Sequence, residues 1–134
     1  MEVKIQKTAS TDRLFLVDAK KLMEYENDIA CRNSQTIENV YHKDWFFEQC
    51  NFLYFTPPAA YIFNGKIFFI NGRHRTILLS RYLNEFPFLI GNIDLDHFGL
   101  TPKAISLEVM TIIKAKDVKE HSSFTLPDLK MGKF

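Results

Sequence analysis

The sequence predicts an α+β fold with a mixed sheet and a β-hairpin at its centre. Three observations carry this expectation. Apolar runs of strand length are intermixed with stretches of helical spacing. Asn64-Gly65 stands between two such runs, Ala60 to Phe63 and Lys66 to Ile70, and Asn-Gly is the strongest short hairpin signal. A segment of helical spacing, Arg73 to Asn84, follows directly across Asn71-Gly72. Strands and helices mixed along one chain, with an antiparallel pair among them, define the class.

In chain order, Val3 to Lys7 alternates apolar and polar residues and reads as a short strand. Leu14 to Val17 is a second strand. Asp18 then caps a helix with Leu22, Tyr25 and Ile29 on one face. Residues 31 to 41 are polar and fit either a loop or a broken helix. His42 to Cys50 predicts a helix, with Trp45, Phe46 and Gln49 on neighbouring turns and Asp44 near its positive end. Phe52 to Phe55 is extended and is ended by Pro57-Pro58. Lys66 to Ile70 is apolar on both faces, which predicts a place inside the sheet and not at its edge. The helix after it carries Ile77, Leu78, Tyr82 and Leu83 as a buried stripe. Glu85 to Pro87 reads as a loop and Phe88 to Ile93 as a strand. Asp94 to Lys103 holds Gly99 and Pro102 and reads as a loop. Ser106 to Lys114 is rich in β-branched residues and reads as a strand. Residues 120–134 form a polar tail, expected to be partly ordered at best.

A chain of 134 residues fits a single domain, 1–134. Hydrophobic residues make up 46% and aromatics 14%, which excludes a disordered tail. The formal net charge of +1 excludes bulk attraction to nucleic acid or anionic membrane, so any anion site must be a local cluster. Cys31 and Cys50 lack metal-ligand spacing and fit a reduced, cytoplasmic protein, their pairing left open. The first residues lack the apolar core of a signal peptide. No apolar run reaches the ~20 residues of a membrane span.

The chemistry concentrates at Asn71-Gly72-Arg73-His74-Arg75-Thr76. A helix start carries unpaired N–H groups and a partial positive charge, and a glycine before it lets a ligand approach the backbone. Phosphate is the usual occupant of such a place. Cations there meet the positive dipole end and are unfavourable unless an anion offsets them. Arg73 and Arg75 can grip phosphate in bidentate fashion. His74 can donate to the same oxygens or move a proton near neutral pH. Thr76 can add a hydroxyl. The plainer reading pairs the arginines with carboxylates, of which the chain has 16, and satisfies His74 on a backbone carbonyl.

The stretch from Pro57-Pro58 through the hairpin to Asn71-Gly72-Arg73-His74-Arg75-Thr76 and its helix resembles the ParB/sulfiredoxin-like superfamily, in the form of a stand-alone ParB-like nuclease domain of plasmid or phage type. The resemblance runs from roughly Tyr54 to Ile93. It implies a compact α+β domain that binds nucleotide phosphates at this turn, with Gly72 as the close-approach glycine, His74 and Arg75 as phosphate ligands and Thr76 at the helix start. Arg73 stands where sulfiredoxins carry their catalytic cysteine and ParB proteins a glutamate, so sulfiredoxin activity is not expected. The chain has no room for the helix-turn-helix domain of full partitioning proteins.

Asp94 and Asp96, with His97 between Asp96 and Phe98, form the candidate metal site. Two carboxylates and an imidazole can hold Mg²⁺ beside a bound nucleoside triphosphate; capping and loop solvation explain them equally well. Trp45, Phe46, Phe47, Phe52, Tyr54 and Phe55 either fill the core or stack bases. Two functions follow. The first is a phosphate-binding domain that takes a nucleotide or nucleic acid at residues 72–76, with nuclease or nucleotide-hydrolysing chemistry carried by His74 and Arg75. The second is a non-catalytic interaction or inhibitor protein of a plasmid or phage, of the fertility-inhibition kind, contacting a protein partner through exposed Phe residues.

Overall fold

The computed structural model describes residues 1–7, 12–26, 37–91 and 102–132, with only the backbone described at 102–105. The fold is α+β with mixed sheets. Its five-stranded sheet grows from the hairpin. β6 (Ala59–Phe63) and β7 (Lys66–Asn71) pair antiparallel across Asn64-Gly65, whose positive φ angles of 51° and 71° are what a tight hairpin turn requires. β8 (Glu85–Gly91) pairs parallel with β6 and antiparallel with β2 (Asp12–Asp18), and β9 (Lys116–Asp117) closes the far side, giving the order β7-β6-β8-β2-β9.

β8 holds the central place, with Phe86 through Gly91 all buried. The expected loop at Glu85 to Pro87 is therefore strand. Pro87 is tolerated because β6 joins β8 only from Leu89 onward, so Pro87 meets a partner on the β2 side alone. β7, expected inside the sheet, lies at its edge. Its apolar residues divide between two faces: Ile67 is buried, while Phe68 and Ile70 are exposed.

A four-stranded sheet has the order β10-β1-β5-β4, from β1 (Glu2–Ile5), β4 (Phe46–Gln49), β5 (Phe52–Phe55) and β10 (Ser123–Thr125). The helix expected over His42 to Cys50 is instead one 3-10 turn, Lys43–Trp45, followed by β4. Cys50 and Asn51, both at positive φ, turn β4 back onto β5. Phe46 thereby faces Phe55 in the ladder, and cross-strand pairing outweighs the local helical spacing.

The helices fill the remaining faces. α1 (Ala19–Tyr25) begins at Asp18, whose carboxylate accepts from the Lys21 N–H at 2.8 Å. α2 (Arg73–Tyr82) follows β7 and buries Ile77, Leu78 and Leu79, while Tyr82 is exposed. The strand expected at Ser106 to Lys114 is helix: α3 spans Pro102–Ile112, so the expected loop also ends before Pro102. From residue 106 on, Ser106, Val109 and Met110 are buried, as is Ile113 just past its end, a spacing of three and four that outweighs β-branched content. Proline at the first helical position suits its start. Ile29, Cys31, Asp94 and Asp96 lie outside the described residues; Cys50 is exposed and free.

The tail is part of the fold. β10 pairs with β1, Leu126 is 2% exposed, and β11 (Lys130–Met131) runs parallel to β3 (Val40–Tyr41). The fully buried Tyr41 donates its hydroxyl to the Pro127 carbonyl. No helix among the described residues is long and apolar enough to cross a membrane.

Two outcomes are expected. Leu126→Ala should lower the unfolding free energy by about 2–5 kcal/mol in a urea titration, because it empties a packed site; a loss under 0.5 kcal/mol would contradict the tail's place in the core. Burial, with Asp128 next, raises the Tyr41 phenol to about 12. The folded state thus favours the protonated phenol, so its contribution is full below the ordinary value of about 10 and falls as pH rises from there to about 12. Tyr41→Phe should remove that alkaline component from the pH dependence of the melting temperature.

Candidate functional site

The start of α2 is set by Gly72. Its φ of 100° is left-handed, and a Cβ there would stand 2.6 Å from the Pro58 Cα. The close approach is thus to the proline turn, a packing demand that acts before any ligand. As the N-cap it offers no side-chain oxygen to the first turn. The first helical bond is the Thr76 N–H to the Gly72 carbonyl at 2.9 Å, so the N–H groups of Arg73, His74 and Arg75 precede the ladder. Thr76 is fully buried and turns its hydroxyl back to that same carbonyl at 2.8 Å.

The three basic residues divide by burial. Arg75 is 3% exposed, and its Nη1 donates to the Thr56 carbonyl at 2.6 Å and reaches the Pro57 carbonyl at 3.5 Å. Its Nε is buried without a hydrogen-bond partner. Burial lowers its guanidinium to about 10, a shift that an adjacent carboxylate would oppose. Arg73 and His74 are exposed. Among the described residues none of the three forms an ion pair; the Arg73 guanidinium lies 6.0 Å over the Phe69 ring.

The turn forms one wall of an open cleft of about 330 Å³. Phe69 and Ile70 lie on the β7 side, and His42 and Trp45 form the facing wall. The ladder register shifts between Ala59 and Ala60, leaving Ile70 between the paired Phe69 and Asn71. Such a bulge bends the strand end and re-aims its side chains. The His42 and Trp45 rings stack at 4.6 Å and 15°, and the Arg75 guanidinium stands 5.6 Å from the Trp45 ring. Cation and indole are held together because Arg75 grips Thr56, whose own N–H donates to the Trp45 carbonyl at 2.8 Å. A small cleft with uncapped N–H groups, solvent-facing basic side chains and an aromatic wall can bind an anion attached to a flat ring.

Gly72, Arg73, His74 and Arg75 all line this cleft, as the sequence reading grouped them, while Thr76 sits behind it with its hydroxyl used internally. Asp94 and Asp96 fall outside the described residues, among which no three or more acidic, His and Cys side chains come together as a metal site would require. Sequence reasoning missed His42 and the place of Trp45. Their link to the turn runs through backbone carbonyls, which leave no mark on side-chain pattern. Comparison with protein-family models, with curated proteins and with solved structures finds no match to this chain.

The turn separates structure from binding in a testable way. Gly72→Ala should destabilise by about 2 kcal/mol or more, since it combines an unfavourable φ with a clash on Pro58. Arg75→Ala should cost about 2 kcal/mol by stranding the Thr56 carbonyl and leaving a void. Arg73→Ala, at the surface, should stay within about 0.5 kcal/mol. Urea titrations of the three variants check this ordering; an Arg73→Ala loss matching that of Arg75→Ala would contradict it.

Proposed function

We propose that the cleft binds the phosphate of a nucleotide or nucleic acid at the Gly72–Arg75 turn, with its base against the His42–Trp45 wall. The observation that carries this reading is the pair of arginines, with His74 between them, at one helix start with no carboxylate partner among the described residues. A helix N-terminus disfavours cations, and a buried guanidinium without a counter-charge is costly. A phosphate relieves both.

Arg73 and His74 are assigned as the direct phosphate ligands, together with the free N–H groups of the first turn. Arg75 is assigned a positioning role, fixing the proline turn and Trp45 while adding a positive field. His74 is the group assigned to any proton movement in phosphodiester or nucleotide hydrolysis. The ParB/sulfiredoxin-like resemblance of the segment is consistent with this reading and remains part of the proposal.

Trp45 is the only tryptophan in the chain, so intrinsic fluorescence reports on the cleft directly. ATP, CTP and pyrophosphate would be titrated against the protein, with the melting temperature followed in parallel. The nucleotides should quench Trp45 and raise the melting temperature; pyrophosphate should raise the melting temperature with less quenching. Arg73→Ala should weaken nucleotide binding about 10- to 100-fold, the value of a charge-assisted contact. No response to any of the three ligands at millimolar concentration would overturn the proposal.

A further inference from the structure

The cleft at the start of α2 is rich in donors and poor in acceptors. No aspartate or glutamate lines it among the described residues, and Asn71 carries the one side-chain oxygen of its lining. Asp44, between His42 and Trp45 in sequence, is exposed and stands outside the lining. Two guanidiniums and the positive end of a helix meet there. Arg73 is exposed. Arg75 is 3% exposed, and only its Nη1 is committed, to the Thr56 and Pro57 carbonyls; its Nε is buried without a partner. Burial lowers the Arg75 guanidinium to about 10, so it keeps its charge at neutral pH. The N–H groups of Arg73, His74 and Arg75 precede the helical ladder, and such a helix end adds about half a positive charge.

That charge narrows the choice of anion. A phosphodiester brings one negative charge and leaves more than one positive charge uncompensated, part of it on the buried Arg75, where the cost is high. A phosphomonoester brings about −1.5 to −2 near neutral pH and comes close to balance. A nucleoside triphosphate brings more negative charge than the cleft offsets and is commonly held with Mg²⁺. That ion takes its ligands from phosphates, carboxylates and water. The described lining has no carboxylate to give it, and its two positive charges would face the guanidiniums. Size points the same way. The volume of about 330 Å³ lies at the low end of the ~300–1,000 Å³ of small-molecule sites, which suits one nucleotide unit.

We propose that the cleft selects the dianionic phosphomonoester of a mononucleotide and takes it without a metal ion. The inference rests on the phosphate reading of the cleft and narrows it: the phosphate is terminal, not bridging. Arg73 reads the second negative charge, because it is the guanidinium at the surface and can grip two oxygens at once. A free nucleoside monophosphate and the 5′ end of a strand offer the same group.

The test follows Trp45 fluorescence during titration with AMP and CMP, each set against its 3′,5′-cyclic form, in EDTA and again in millimolar Mg²⁺. The cyclic form keeps base and sugar and removes one negative charge. The expected result is binding of a monophosphate in EDTA, about 10- to 100-fold tighter than its cyclic form, with no gain from Mg²⁺. Arg73→Ala should bring the two forms within a few-fold of each other. Competition by 5′-phosphorylated oligothymidylate, but not by its unphosphorylated form, supports the proposal and extends it to strand ends. Equal competition by both overturns it. So does equal binding of the monophosphate and cyclic forms, and so does binding of ATP or CTP but of neither monophosphate, with or without Mg²⁺. Each of these three results leaves the phosphate reading standing. No response to any of these ligands or to pyrophosphate overturns the two readings together.

Discussion

The Arg75 guanidinium is the joint on which the candidate site depends. It is buried, it has no carboxylate partner among the described residues, and it spends its Nη1 donor on backbone carbonyls of the proline turn. That choice ties three pieces of chain together. β5 leads into Thr56-Pro57, the N-cap of α2, Gly72, packs against Pro58, and Trp45 is drawn toward the guanidinium through its bond to Thr56. A carboxylate partner would have satisfied the charge but not the turn. The carbonyls satisfy Nη1 and leave the charge free to act on whatever enters the cleft.

The two sheets contribute in different ways. The five-stranded sheet supplies rigidity: its central strand, β8, is buried, and its hairpin delivers the chain to the start of α2. The bulge at Ile70 and the left-handed Gly72 turn the chain out of the edge strand within a few residues. The four-stranded sheet supplies surface. It leaves Phe47 and Phe52 toward solvent, and the 3-10 turn that leads into its β4 carries His42 and Trp45 to the cleft. The tail holds this sheet in place, through β10 beside β1 and through His121, whose Nδ1 lies 2.8 Å from the Tyr54 hydroxyl. A segment with no evident role in the sequence thus packs against the sheet's aromatic face through His121.

Charge placement separates binding groups from scaffold groups. Burial divides Arg75 and Thr76 from Arg73 and His74, although all four are consecutive. Helical geometry does this: successive residues project about 100° apart, so a turn of four residues points in every direction. The run therefore divides its roles, although Arg73, His74 and Arg75 all line the cleft. Two of these residues face solvent and two face the scaffold.

Much was legible in the sequence alone. Asn64-Gly65 determined the hairpin, because its positive φ angles suit few other pairs. Asp18 fixed the start of α1, and Gly72 the start of α2. The cationic turn was visible as a local anomaly, since like charges gather where a helix repels them. Other features were visible but outweighed by composition: the spacing of Val109, Met110 and Ile113 was helical, and β-branched content obscured it. Tertiary structure alone decided the rest. It placed β7 at the edge, because a strand's neighbours are chosen by distant segments and not by its own apolar faces. It made Phe46 to Gln49 a strand, because β5 offered a ladder. It brought His42 and Trp45 to the turn through carbonyls of Thr56 and Trp45, groups that every residue possesses and that no sequence pattern can announce.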